Sequence, residues 1–122
     1  MMIRILGLVS LLLLAGHVEA FARCSVPRIH TFNNQTVDGR MVVSGGTPCS
    51  IKLKHSAGPT YSAHIVEKAQ NGSVTVDGRD RIVYQPRPGF AGSDTFTYAR
   101  SGESTRGAPV TRTIRVAVTV RP

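Results

Sequence analysis

The chain reads as an all-β protein, a two-sheet antiparallel sandwich of about seven strands. Three observations lead there. Apolar residues recur with a period of two in several short runs, the periodicity of extended chain. Beyond residue 22, no segment sustains apolar residues at helical spacing over three turns. Gly, Pro and Asn break the runs at the short intervals expected of sandwich strands.

The amino terminus is of a different kind. Met1-Met2-Ile3-Arg4 carries one positive charge and leads into an apolar run, closed by Gly16-His17-Val18-Glu19-Ala20. This is the layout of a cleaved secretory signal peptide, assigned to residues 1–22. The apolar run of about 11 residues falls short of the roughly 20 that a helix needs to span a bilayer, so a permanent anchor is the weaker reading. Small residues permit cleavage after Ala20 or after Ala22. Leu14-Ala15-Gly16 would begin a lipoprotein box, but His17 stands where the acylated cysteine belongs. The mature chain is expected to be unlipidated and soluble. Residues 23–122 then form one domain of about 100 residues, with a modest core and little room for an enclosed active site.

Cys24 and Cys49 both survive cleavage. Two thiols in a secreted chain usually join, and a loop of about 25 residues closed this way contributes about 3 kcal/mol in the chain-entropy model. Residues 26–32 are a candidate edge strand, and a further strand lies near 40–44. In 49–54, Cys49, Ile51 and Leu53 share one face while Lys52 and Lys54 take the other. In 60–67, Tyr61, Ala63 and Ile65 point inward and His64 outward. Runs at 73–77 and 80–85 flank Asp77-Gly78, a favoured turn dipeptide, and form a hairpin. Strands near 93–100 and 112–120 complete the set; the last carries the cleanest alternation, with Ile114, Val116, Val118 and Val120 on the buried side. Between them, 101–109 is a polar loop and the expected mobile element.

Residues 84–98 place aromatic, proline, glycine and carboxylate residues at alternate positions. Tyr84 ends a strand facing the core, and Pro86 and Pro88, which cannot donate ladder hydrogen bonds, stop it. Phe90 then plugs the open end, while Gly89 and Gly92 permit unusual backbone angles. Asp94 is placed to accept hydrogen bonds from the amides of that turn. Phe96 and Tyr98 re-enter the core, leaving Thr95 and Thr97 outside. The stretch resembles the Y-x-P…G-x-x-G-x-D-x-F-x-Y pattern of bacterial immunoglobulin-like and cadherin-like β-sandwich domains, which stack as adhesion, spacer and ligand-presenting modules on cell surfaces. The resemblance covers residues 70–120 well and the first third poorly. It implies an immunoglobulin-like, Greek-key sandwich and a non-catalytic interaction role, with Tyr84 to Tyr98 as construction rather than contact.

Catalytic and metal chemistry find little support. Relatives often bind calcium through converging carboxylates, but here Asp77 and Asp80 neighbour Arg79 and Arg81, and Gly102 stands where relatives often carry an Asp. His30, His55 and His64 have no ligand-like spacing. No Gly-x-Ser-x-Gly elbow and no Cys-x-x-Cys motif occurs. No cofactor, no metal and no enzymatic activity are expected.

The formal net charge is +8, spread as single Arg and Lys residues. That favours weak attraction to polyanions without specifying one. If 49–54 and 80–85 are neighbours, as the second and fifth strands of an immunoglobulin-like sheet are, Lys52, Lys54, Arg79 and Arg81 share an outward face, with Arg115 and Arg121 outward on the other sheet. The expectation is a secreted or periplasmic binding module whose partner is a protein or glycan of the cell envelope. The second reading is a cationic envelope protein associating with acidic glycan, anionic lipid or nucleic acid.

Overall fold

The computed structural model describes residues 23–53, 60–78 and 81–122, and of residues 60 and 61 the backbone alone. The signal-peptide assignment to residues 1–22, and the readings on Lys54, His55, Arg79, Asp80 and the Tyr61 side chain, lie outside the described residues. Eight strands are described: β1 (Cys24–Ser25), β2 (Thr36–Ser44), β3 (Cys49–Lys52), β4 (Thr60–Glu67), β5 (Gly72–Asp77), β6 (Arg81–Pro86), β7 (Gly92–Glu103) and β8 (Pro109–Arg121). They make a five-stranded sheet in the order β1-β2-β8-β7-β4 and a three-stranded sheet in the order β3-β6-β5. The chain changes sheet after β2, β3, β4 and β6. Among the described strands, the consecutive pairs β1–β2, β5–β6 and β7–β8 are antiparallel neighbours, while β4 pairs with β7 and β3 with β6 across the interlock. Among the described residues no helix is long and apolar enough to cross a membrane.

Alternation sets the core. Ile114, Val116, Val118 and Val120 of β8 are buried between the sheets, with Met41 and Val43 of β2 and Ile51 of β3. Tyr84 and Phe96 stack at their centre, ring centroids 5.9 Å apart and planes within 9°, and Tyr98 continues the aromatic column at 6.3 Å from Phe96. Cys24 and Cys49 are disulfide-bonded with Cα atoms 5.2 Å apart. The bond staples β1 of the larger sheet to β3 of the smaller one.

Several expectations are corrected. The sandwich is not antiparallel throughout: β2 runs parallel to β8, from Thr36 opposite Thr113 to Ser44 opposite Arg121. Parallel partners need a long connection, and the intervening chain, which passes through both sheets, supplies it. Residues 26–32 are not an edge strand. Pro27 has no N–H to donate, and the segment leaves β1 to run along the open side of the sandwich, where Ile29 packs on the core. β2 starts at Thr36 rather than near residue 40, where its ladder with β8 begins, and Gly39 within it leaves room for Ile29: a Cβ there would lie 2.7 Å from Ile29 Cδ1.

The loop expected over 101–109 is far shorter. β7 and β8 continue their pairing out to Glu103 opposite Pro109, and Ser104 ties the remaining turn. Its backbone N–H donates to Ala108 O at 2.8 Å and its carbonyl accepts from Gly107 N–H at 2.9 Å. Its hydroxyl accepts from Arg106 and Ala108 N–H at 3.3 and 3.2 Å. Thr95 faces solvent, but Thr97 is buried. It lies on the central strand β7 between Glu67 of β4 and Arg115 of β8, whose longer side chains stand on either side of it.

The Tyr84–Tyr98 stretch forms a corner, with one reassignment. Pro86 is the buried last residue of β6, paired with Gly72, and Pro88 is exposed in the turn. Gly89 and Gly92 take φ of 77° and 139°, and half-buried Phe90 packs on the core beneath the Arg87 guanidinium, 5.6 Å from its ring centroid. Asp94 does not hold this turn. Its Oδ1 accepts from the backbone N–H of Gln70 (3.0 Å) and of Thr95 (2.9 Å), and its Oδ2 from Asn71 N–H (3.0 Å) and the Tyr84 hydroxyl (2.9 Å). The carboxylate therefore clamps the β4–β5 connection to β6 and β7. Burial first, then the bond to Asp94 and its charge, push the Tyr84 hydroxyl well above the usual tyrosine range.

Candidate functional site

The 23–35 segment is held at both ends and in the middle. At its start are the disulfide and a hydrogen bond from Ser44 N–H to Arg23 O at 2.9 Å. At its end, Asn34 N–H donates to Thr111 O at 2.8 Å and Asn34 Oδ1 accepts from Thr111 N–H at 3.1 Å. Between them, Arg100 donates to Thr31 Oγ1 at 3.2 Å, and Arg112 donates twice to Asn33 Oδ1, at 3.2 and 2.6 Å.

Both arginines come from the inner face. Arg100 follows Phe96 and Tyr98 in phase on β7, and Arg112 precedes Ile114 and Val116 in phase on β8. The two are directly opposite in register. At this end of the sandwich the apolar core gives way to two guanidinium groups, which the side chains of the crossing segment receive.

Between the segment and β3 lies an open groove of about 890 Å³. Tyr98, Arg100 and Ile51 reach it from the sheets, Arg28 and Phe32 from the crossing segment, and Lys52 from the rim of β3. His30, Thr31 and Ser50 add polar groups. No Asp or Glu is among the described residues that line it. Burial pushes the Tyr98 hydroxyl up to about 12, with the nearby Arg100 charge acting against the rise. Arg100 itself is lowered, first by burial and then by the Arg112 charge, with Tyr98 opposing. The groove thus combines an apolar floor with cationic and hydroxyl donors. That chemistry suits holding an anionic group.

The outward basic face is partly described. Lys52 stands opposite Arg81 in the β3–β6 register, and both are exposed, as is Asp77, which stands opposite Arg81 on its other side, so the positive charge at the groove rim reaches as far as Arg81 and meets a carboxylate there. Lys54 and Arg79 lie outside the described residues. On the larger sheet Arg121 is exposed, and Arg115 approaches Asp38 at 3.9 Å with both side chains largely exposed, a pair worth little in water. Among the described residues no three of His, Cys, Asp and Glu cluster so as to hold a metal ion. Reasoning from charge alone found Lys52 and Arg81 but missed Arg28, Arg100 and Arg112. The signal for the last two was present: strand phase puts them on the core side.

No curated protein and no solved structure matches the chain. The family model described as bacterial Ig domain does match, over residues 29–117, a span that takes in β2 to β7, most of β8, the Asp94 clamp and both inner arginines. The chain belongs to the bacterial Ig domain family.

Proposed function

We propose that this protein is a secreted or periplasmic, non-catalytic interaction module of the cell envelope, which meets its ligand through the groove beside the crossing segment. Ig-like domains are generally non-catalytic interaction modules, which supports the first half of that reading. The observation that carries the second half is the groove itself, with Arg28, Arg100 and Lys52 around an apolar floor. The amino-terminal layout and the Cys24–Cys49 bond suit an oxidising compartment outside the cytoplasm. The alternative, electrostatic association with polyanions, is favoured by one observation, the exposed Lys52–Arg81 pair.

Salt separates the two. Tagged protein is expected to fractionate with the periplasm or medium and to capture an envelope component that stays bound at 0.5 M salt, where the Debye length falls to roughly 4 Å. Partners that all wash off would favour the electrostatic reading, because polyanion binding driven by counterion release weakens steeply with salt. Turnover of a substrate by the purified protein would refute both.

A further inference from the structure

The groove is more particular than a basic patch. Resting on the reading of the protein as an interaction module, we infer that it is a binding site for a carboxylated saccharide, with Arg28, Arg100 and Lys52 facing the carboxylates and the apolar lining facing the sugar rings.

The donor set is the first argument. Arg100 brings to the groove a guanidinium, a group whose planar donors match a carboxylate, with one of its nitrogens already donating to Thr31 Oγ1. Its hydrogen bond to Thr31, together with the bonds from Arg112 to Asn33, fixes the groove wall in place before any ligand arrives, which lowers the ordering cost of binding. Arg112, opposite Arg100 in the β7–β8 register, adds positive charge behind the groove wall. Lys52 lies on the groove rim and beside Arg81 on the outward face of the smaller sheet. A ligand with several negative groups can reach Arg28, Arg100 and Lys52 together, and a single small anion cannot.

The rest of the lining selects among anions. Val26, Ile29 and Phe32 offer apolar surface, and Phe32 is 58% exposed. A pyranose ring has a C–H face to lay on such surface and hydroxyls for Thr31 and Ser50, whereas a phosphodiester chain has no use for it. Single-strand nucleic-acid binders use successive aromatic platforms; here Tyr98 is only 2% exposed, leaving Phe32 alone. An extended peptide would need a strand edge, and β3, at the edge of the smaller sheet, offers only four residues. The volume of about 890 Å³ is in the range of ligand sites for small molecules and short oligomers.

Calorimetric titration of the oxidised protein with tetragalacturonate tests this. Saturable one-to-one binding is expected, with the methyl ester of the same tetrasaccharide at least about tenfold weaker. Arg28→Ala/Lys52→Ala removes two exposed charges at the groove and should cost about tenfold or more in affinity. Arg115→Ala/Arg121→Ala removes the same charge from the opposite sheet and should stay within about twofold. Arg100→Lys keeps the charge but loses the guanidinium, and should weaken binding with only a small fall in melting temperature as the bond to Thr31 is lost. The inference is overturned if tetragalacturonate does not bind, if its ester binds equally, or if both double variants lose affinity alike. Equal affinity for tetraglutamate or octathymidylate overturns it too. Salt-resistant capture of an envelope component that survives Arg28→Ala/Lys52→Ala would sink the saccharide site while leaving the interaction module standing.

Discussion

Replacing Asp94 by Ala should be among the most damaging single changes in this domain. The carboxylate is 5% exposed and receives hydrogen bonds from four donors on the β4–β5 connection, β6 and β7. Removing it leaves the buried Tyr84 hydroxyl without this acceptor, at about 1–3 kcal/mol, and three part-buried amides at the low end of the same range. Water reaches some of those amides, so the expected loss is about 3–4 kcal/mol. For a domain stable by about 5–15 kcal/mol, that is a fall in melting temperature of roughly 12–30 °C. Asp94→Asn sharpens the test. An amide nitrogen at the Oδ1 position would face the N–H groups of Gln70 and Thr95, whereas at Oδ2 it faces Asn71 N–H and a Tyr84 hydroxyl able to rotate and accept. The Asn variant should take the second orientation, orphan one amide, and lose about half as much as Ala. Urea denaturation of Asp94→Ala, Asp94→Asn, Tyr84→Phe and the double variant measures these terms, with a Tyr84–Asp94 coupling of about 1 kcal/mol or more expected. A loss below about 1 kcal/mol for Ala, or equal losses for Asn and Ala, would refute the clamp.

Three further outcomes are expected. Cys24→Ala/Cys49→Ala should cost about 3 kcal/mol by freeing a 25-residue separation, and the melting temperature of the wild type in reductant should fall to match; no change in either would show that the bond carries no stability. Gly72→Ala should cost about 1–3 kcal/mol, because a Cβ there would collide with the Gln85 carbonyl oxygen and stand 3.0 Å from the Tyr84 ring; a melting temperature equal to wild type would mean that the β5–β6 pairing yields freely. Ultraviolet titration should find Tyr98 ionising at about 12 and Tyr84 higher still. Both are raised above the unfolded value of 10.0, so their contribution to stability is complete below pH 10 and is lost as pH rises through 12. The loss for Tyr98 is on the order of 2–3 kcal/mol. Stability flat from pH 9 to 12 would contradict it.

Much of this fold is legible in the residues because a two-sided core imposes a period of two. Ile114 to Val120 alternate without exception, and β8 buries those four side chains. The Asp77-Gly78 turn likewise rests on local chemistry, with Gly78 at φ 62°. What escaped is what depends on distant partners. Asp94 invited assignment to the turn beside it, yet two of its donors lie 23 and 24 residues upstream, delivered by sheet pairing. Residues 26–32 alternate well enough to pass for a strand, but their route depends on Gly39 and on two inner-face arginines. Those arginines read as surface charge by residue type and as core positions by phase, and phase was the better guide. The groove exists only once β3, β7 and the crossing segment are assembled, so no local motif announces it.

The disulfide also decides how the molecule would carry a load. Tension applied between residues 23 and 122 enters at Cys24 and passes at once through the bond to Cys49 on β3, so the whole of β2 lies on a slack branch. Break that bond, and the same force must travel along β2, where the nine-residue parallel ladder with β8 is pulled in shear, all its rungs strained together. Oxidation thus chooses which part of the sandwich is the spring and which is the bystander.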